Sequence, residues 1–237
     1  MNQSQIIPDI TISAEVWQQF PNLRIGYIAG YGLDNTQGSD DLCALCQSAE
    51  SALRSRFGAV DSLALEPSIT GWRQVYRAIG AKPTTFTPTV EALLKRILKG
   101  NPMPIINKAV NAYLIAEMES LVPLGGYDLD TISGPIQLTK TTSPSPFIGF
   151  GGSVVETMVG ELVYRDDRSV LTRHWNYRDA LHSQITENTQ RLILMAEAPD
   201  LATSDDVLSQ TLHRVETLLK TYCGGTYQIG IWRNETD

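Results

Sequence analysis

From Arg173 to Asp179 the chain reads Arg-His-Trp-Asn-Tyr-Arg-Asp, seven consecutive side chains that each carry a polar atom. On a strand, alternation sends Arg173, Trp175 and Tyr177 to one face and His174, Asn176 and Arg178 to the other. One polar face there can line a pocket, and clustered guanidinium, indole and amide groups suit the recognition of a small polar molecule. The same residues also make an ordinary arginine–aspartate pair beside a buried tryptophan, and sequence alone leaves both readings open.

Other chemical motifs are weaker. Cys43 and Cys46 have the spacing of a zinc half-site or a redox pair, but there is no second cysteine pair, and His174, His182 and His213 are scattered. A redox pair needs its first cysteine at a helix N-terminus, where the thiolate is stabilised, whereas this pair falls within a helix, so a place in the core is expected. No Gly-x-Ser-x-Gly elbow and no P-loop occur. "GYIAGYG" at 26–32 misses the dinucleotide-binding spacing and reads as a strand turning at Gly30 to Gly32, while Gly151-Gly152 reads as a hairpin turn. No metal and no organic cofactor is expected. A doubled glycine, Gly125-Gly126, stands between Pro123 and the pair Tyr127-Asp128, where it leaves room for something other than side chains.

The elements that must position these residues are legible in outline. A half-buried strand begins at Leu23. Ser39 caps a helix with Leu42, Leu45, Ala49 and Leu53 on one face, stopped at Gly58. A short helix carries Trp72, Val75, Tyr76 and Ile79. The next, capped by Thr87 or Thr89, buries Leu93, Leu94, Ile97 and Leu98 and ends at Gly100, and residues 104 to 121 form another. From about Leu124 to Tyr177 short β-like runs bounded by Gly, Pro, Asp or Ser predict a small antiparallel sheet. "RLILMAEA" reads as a buried strand. Ser204 caps a helix with a stripe of Leu208, Leu212, Val215, Leu219 and Tyr222, Gly224-Gly225 stop it, and "TYQIGIW" is a closing strand.

The chain has 237 residues, 42% hydrophobic and 19% charged, ample for a closed core, and no repeats or charged linkers divide it. One α+β domain over residues 1–237 is the expectation. A net charge of −7 opposes non-specific attraction to a polyanion, so a nucleic-acid role requires a local basic surface. The N-terminal stretch lacks a basic leader with an apolar core, no run of about 18 apolar residues occurs, and three cysteines suit a reducing compartment. A cytoplasmic protein with no membrane partner is expected; the oligomeric state is left open.

Six stretches in order, "WRQVYRAIG" at 72–80, "EALLKRILKG" at 91–100, "PIIN" at 104–107, "PLGGYDLDTISG" at 123–134, "GELVYRD" at 160–166 and "RHWNYRD" at 173–179, resemble the freestanding B3/B4 domain proteins. These are similar to the B3/B4 editing domain of the phenylalanyl-tRNA synthetase β subunit, which hydrolyses tyrosine wrongly attached to the phenylalanine tRNA. The resemblance is strongest over residues 70–200. It implies an unusual β-sandwich or antiparallel sheet core flanked by helices, tRNA or aminoacyl-tRNA as a partner, and trans-editing of a mischarged ester as the activity. Aligned on the synthetase pattern, Pro123, Tyr127 and Asp128 stay in step, Gly125 stands where the editing histidine would be, and Leu114 stands where an asparagine would be. Asn111 replaces the aspartate usual in freestanding relatives, and Glu197 matches the substrate-binding glutamate.

On this resemblance Glu197 binds the ammonium of an aminoacyl group, Asn107, Asn176 or Arg178 orients the carbonyl or ribose, and Gly125 and Gly126 present backbone N–H groups to an oxyanion. The rival reading is a non-catalytic module that binds RNA or an amino-acid-like ligand in a degenerate pocket; a scaffold with a vestigial pocket is a third. A basic stripe of Arg73, Arg77, Lys82, Lys95, Arg96 and Lys99 leading to the pocket separates tRNA docking from small-molecule binding.

Overall fold

The structure, a computed structural model, describes residues 7, 9–36 and 38–234. The stretch read for a leader lies partly outside these residues. Among them, no helix is long and apolar enough to cross a membrane.

The fold is α+β. One sheet has four strands in the order β11-β2-β10-β3, formed by β2 (Arg24–Tyr31), β3 (Leu124–Asp128), β10 (Arg191–Ala198) and β11 (Thr226–Arg233), all antiparallel. A second has five strands in the order β1-β4-β7-β8-β9: β1 (Ile10–Ile12), β4 (Ile136–Lys140), β7 (Leu162–Arg165), β8 (Val170–Arg173) and β9 (Arg178–Asp179). Its β1 runs parallel to β4, so the sheet is mixed rather than purely antiparallel, because β1 arrives from the far N-terminal end instead of through a hairpin. A third pair, β5 (Pro146–Ile148) and β6 (Val154–Glu156), makes a ribbon whose turn uses the positive φ of Gly151 and Gly152, as the hairpin reading expected.

Helices follow from their stripes and caps. α2 (Asp40–Phe57) starts with Ser39 accepting the Leu42 N–H and buries Leu42, Ala49 and Leu53. Cys46 is buried on the same face, where burial pushes its thiol up to about 11, while Cys43 is half-buried. α6 (Asp205–Cys223) starts with Ser204 accepting the Val207 N–H and lays Leu208, Leu212, Val215 and Leu219 on β2 and β10. A Cβ at Gly26 would meet Leu212 at 2.8 Å, so this glycine sets how closely α6 approaches the sheet. α3 (Pro67–Ala78) and α4 (Thr89–Leu98) bury Trp72, Tyr76, Leu93 and Leu94. Neither threonine caps α4: its N-cap is Pro88, which fits the first turn because the missing N–H has no intrahelical partner there.

The fifth helix, α5 (Lys108–Ser120), begins four residues later than expected. Pro102 and Pro104 disfavour helical backbone in the residues before them, and Asn107 serves as the N-cap, accepting the Val110 N–H at 3.0 Å. One apolar core is continuous from Ile10 to Cys223 and includes residues of both large sheets and of α2 to α6.

The doubled glycine has two different jobs. A Cβ at Gly126 would sit 2.2 Å from the Ile193 carbonyl oxygen, whereas one at Gly125 meets nothing within 4 Å. Gly126→Ala is therefore expected to cost about 2 kcal/mol or more through forced backbone movement, and Gly125→Ala less than about 1 kcal/mol. Urea unfolding of both variants checks this, and equal losses would contradict it.

Candidate functional site

The chain between β8 and β9 does not follow strand alternation. His174 and Trp175 both have positive φ, 45° and 70°, a left-handed conformation that costs a bulky side chain about 1–3 kcal/mol. Backbone bonds from Trp175 N–H to Leu162 and from Tyr177 N–H to Arg173 close the turn. Trp175 is held edge-on between Phe20 and Trp72, with ring centroids at 5.0 and 5.3 Å, and His174 lies 3.8 Å from the Phe86 ring. Glu161 anchors the entry through two 2.7 Å bonds from Arg173. Burial alone would raise the Glu161 carboxyl; hydrogen bonds from Arg173 and from the Met158 N–H overcome it and hold the group low. The predicted split of 173–178 onto two faces is thus corrected: the turn brings Trp175 and Asn176 into the same cavity wall.

That cavity, about 330 Å³, lies between the two large sheets and is closed by α4, α5 and the 104–106 segment. Its volume falls in the lower range of small-ligand sites, roughly 300–1,000 Å³. Glu197 of β10 reaches its floor and is buried. Asn176 Nδ2 donates to Glu197 Oε2 at 2.6 Å, and Asn176 Oδ1 accepts from the Tyr76 hydroxyl at 2.7 Å. The Tyr164 hydroxyl and Trp175 Nε1 lie beside the carboxyl and favour its charge, but neither completes a hydrogen bond, and both atoms are buried without a partner. Burial pushes the Glu197 carboxyl up to about 8 against those donors, with neighbouring Asp179 adding to the rise.

Asp179 is the second acid in the wall. It accepts from Thr172 Oγ1 at 2.5 Å, which is itself 2.6 Å from the Tyr127 hydroxyl, and burial raises it to about 6. Glu117, on α5, is fully buried behind the wall: burial drives it well above the usual range, while the Leu124 N–H pulls the other way without forming a complete bond. Among the described residues, no lysine or arginine is buried against these acids. The two cations of the lining, Arg96 and Arg178, are exposed at the mouth, Arg178 over the Tyr177 ring at 5.0 Å.

The residues singled out from sequence separate clearly. Gly125, Gly126, Asn176, Arg178 and Glu197 all line the cavity. Asn107 does not: its amide caps α5 and donates to the Ile185 carbonyl at 2.9 Å, so both ends are occupied within the fold. Asn111 is likewise committed, accepting the Ile106 N–H. The two glycines are not equivalent donors. Glu197 N–H bonds the Pro123 carbonyl, so the alternation of the ladder turns the Gly125 N–H toward β10 and the Gly126 N–H away from it. The set named as a discriminator does not form a continuous free basic stripe, because Arg73 and Lys95 both pair with buried Glu91, at 2.7 and 2.6 Å. Sequence reasoning missed Tyr76, Tyr164 and Glu117 as parts of the site, and it read Asp179 only as a member of the polar run 173–179. A signal existed for Glu117, a lone acid inside the apolar run "YLIAEM".

A family model described as the B3/4 domain matches residues 71–224 of the chain. No curated protein matches it. Among solved structures the chain is similar to the crystal structure of an N-terminal fragment of the phenylalanyl-tRNA synthetase β subunit from Pyrococcus horikoshii, at 11% identity and a TM-score of 0.47, over 95% of this chain and 54% of that one. The chain therefore spans about half the length of that fragment.

Because the folded carboxyl of Glu197 is raised, the native state holds a proton that the unfolded chain releases from about pH 4.5 upward. Stability is full below that pH, declines as pH climbs to about 8, and then levels off. Glu197→Gln, which cannot ionise, is expected to flatten this decline in thermal melts between pH 5 and 8; parallel wild-type and variant profiles would contradict the assignment.

Proposed function

The chain belongs to the B3/4 domain family, and on that premise we propose that it works as one B3/4-like unit. It binds the aminoacyl end of an aminoacyl-tRNA between its sheets and removes a wrongly attached amino acid by hydrolysing the ester. The observation that carries this reading is the floor of the cavity, where a buried carboxyl, an amide already bonded to it and two unpartnered donors converge on a space of amino-acid size. Buried polar atoms are almost always satisfied, and Tyr164 Oη and Trp175 Nε1, which complete no bond beside Glu197, are the donors this reading offers to a ligand on the cavity floor.

The chemistry requires little from the protein. Water adds to the ester carbonyl carbon, the bond to the ribose oxygen breaks, and the ribose hydroxyl leaves with a proton. Holding the ester against an ordered water supplies much of the acceleration, and the outward Gly126 N–H is placed to donate to the oxygen on which charge develops. Glu197 receives the ammonium, with Asn176 fixing the carboxyl through Tyr76. Arg96 and Arg178 at the mouth provide the local positive charge that an overall acidic protein needs to approach a phosphodiester backbone.

A second reading, binding without turnover, is favoured by one feature: Gly125 leaves open space where the synthetase pattern carries histidine, so no side chain at that position can move a proton. Incubation with a panel of mischarged aminoacyl-tRNAs separates the two. Editing predicts that at least one ester is lost faster than its spontaneous rate, and that Glu197→Ala slows this loss about tenfold or more. Arg96→Ala with Arg178→Ala is expected to raise KM and reduce the salt dependence while leaving kcat near wild type. Tight binding with no ester loss establishes the binding module, and neither binding nor loss across the panel contradicts both.

A further inference from the structure

The cavity holds more acid than a single α-ammonium requires. Glu197 lies on its floor, and Asp179 lies where it joins a neighbouring recess of about 190 Å³ lined in part by Tyr113, Gly126 and Ile185. A buried carboxylate is tolerated when a cation and hydrogen-bond donors accompany it. Donors are already in place: Asn176 is bonded to Glu197, Tyr164 Oη and Trp175 Nε1 lie beside it and favour its charged form, and Thr172 donates to Asp179. Among the described residues no lysine or arginine is buried against Glu197 or Asp179, and Arg96 and Arg178 are exposed at the mouth, so a positive group entering the cavity has both acids to pair with. Tyr127, Tyr113 and Trp175 are among the lining, and aromatic walls suit a desolvated positive group.

We propose that the cavity selects an amino acid whose side chain ends in a cation, an amine or a guanidinium, with the α-ammonium meeting one of the two carboxylates and the side-chain cation the other. This rests on the reading that the cavity takes the amino-acid end of the substrate, and it names the class of that amino acid. A neutral hydroxylated aromatic side chain, which could instead hydrogen-bond to protonated Glu197, is the competing occupant.

Calorimetric titration of the wild-type protein with L-lysinamide, L-norleucinamide and L-tyrosinamide at pH 7 tests it without tRNA. Lysinamide and norleucinamide differ by the terminal ammonium. The expected result is lysinamide binding about thirtyfold or more tightly than norleucinamide, the lower end of what pairing a buried charge contributes. Asp179→Asn and Glu197→Gln are each expected to remove most of that preference. Should either variant fold poorly, the wild-type comparison alone decides. Norleucinamide or tyrosinamide binding as tightly as lysinamide, or no binding by any of the three, overturns the proposal. A lysinamide preference in a protein that neither binds nor deacylates any aminoacyl-tRNA upholds the cation selection and overturns the tRNA reading, so the two fail separately.

Discussion

Glu197 places an ionisable carboxyl on the inner face of β10, between the two large sheets, with no basic residue among those described buried beside it. Charging such a group in a low-dielectric interior is costly, which is why its proton is held to about pH 8. Much of the surrounding structure answers that one constraint. Asn176 can reach the carboxyl only because the preceding two residues take left-handed backbone, and that turn persists because Glu161 grips Arg173, while Phe20, Trp72 and Phe86 wedge the tryptophan and histidine. Tyr76, delivered by α3, fixes the far end of the same amide. Elements distant in sequence therefore converge on a single proton-holding oxygen pair.

Polarity is graded from floor to mouth. Carboxyls and phenols occupy the interior, and the two arginines of the wall face solvent. A ligand with a positive amino group and a negative phosphodiester tail has the matching gradient, amino group inward and tail outward. The glycine pair sits between these zones: Gly126 lets β3 lie close against β10, and Gly125 withholds a side chain from the space where the ligand would pass.

Local rules made the helices readable, since Ser39, Ser204 and Gly58 are signals that act within one turn. The helix begins later than its apolar spacing suggests because Asn107, in extended backbone, caps α5 and leaves Pro104 and Ile106 outside it. The 173–178 turn was unreadable for a stronger reason. Its conformation depends on packing from residues as far away as Phe20, which no window of sequence contains. For the site, Asn176 and Arg178 stood out in the polar run 173–179, whereas Glu197 and the position of Gly125 were brought forward by resemblance to the editing domain. Asp179 was visible only as a member of the polar run 173–179 and Tyr164 not as a site residue at all, because a raised carboxyl or an unpartnered hydroxyl exists only once two sheets enclose it. The broken basic stripe turned on Glu91, whose ion pair with Lys95 is local but whose pair with Arg73 joins two helices.

The central claim is that an uncompensated acid waits at the cavity floor, and the side-chain carboxyl carbon of Glu197 reports it directly. Following that carbon by NMR across pH 4 to 10 in the ligand-free protein, with Glu197→Gln to assign the resonance, is expected to show a midpoint near 8. A midpoint in the ordinary glutamate range, about 4, would show that the carboxyl is solvated or already paired, and the account of the cavity as a site for a cationic ligand would be wrong.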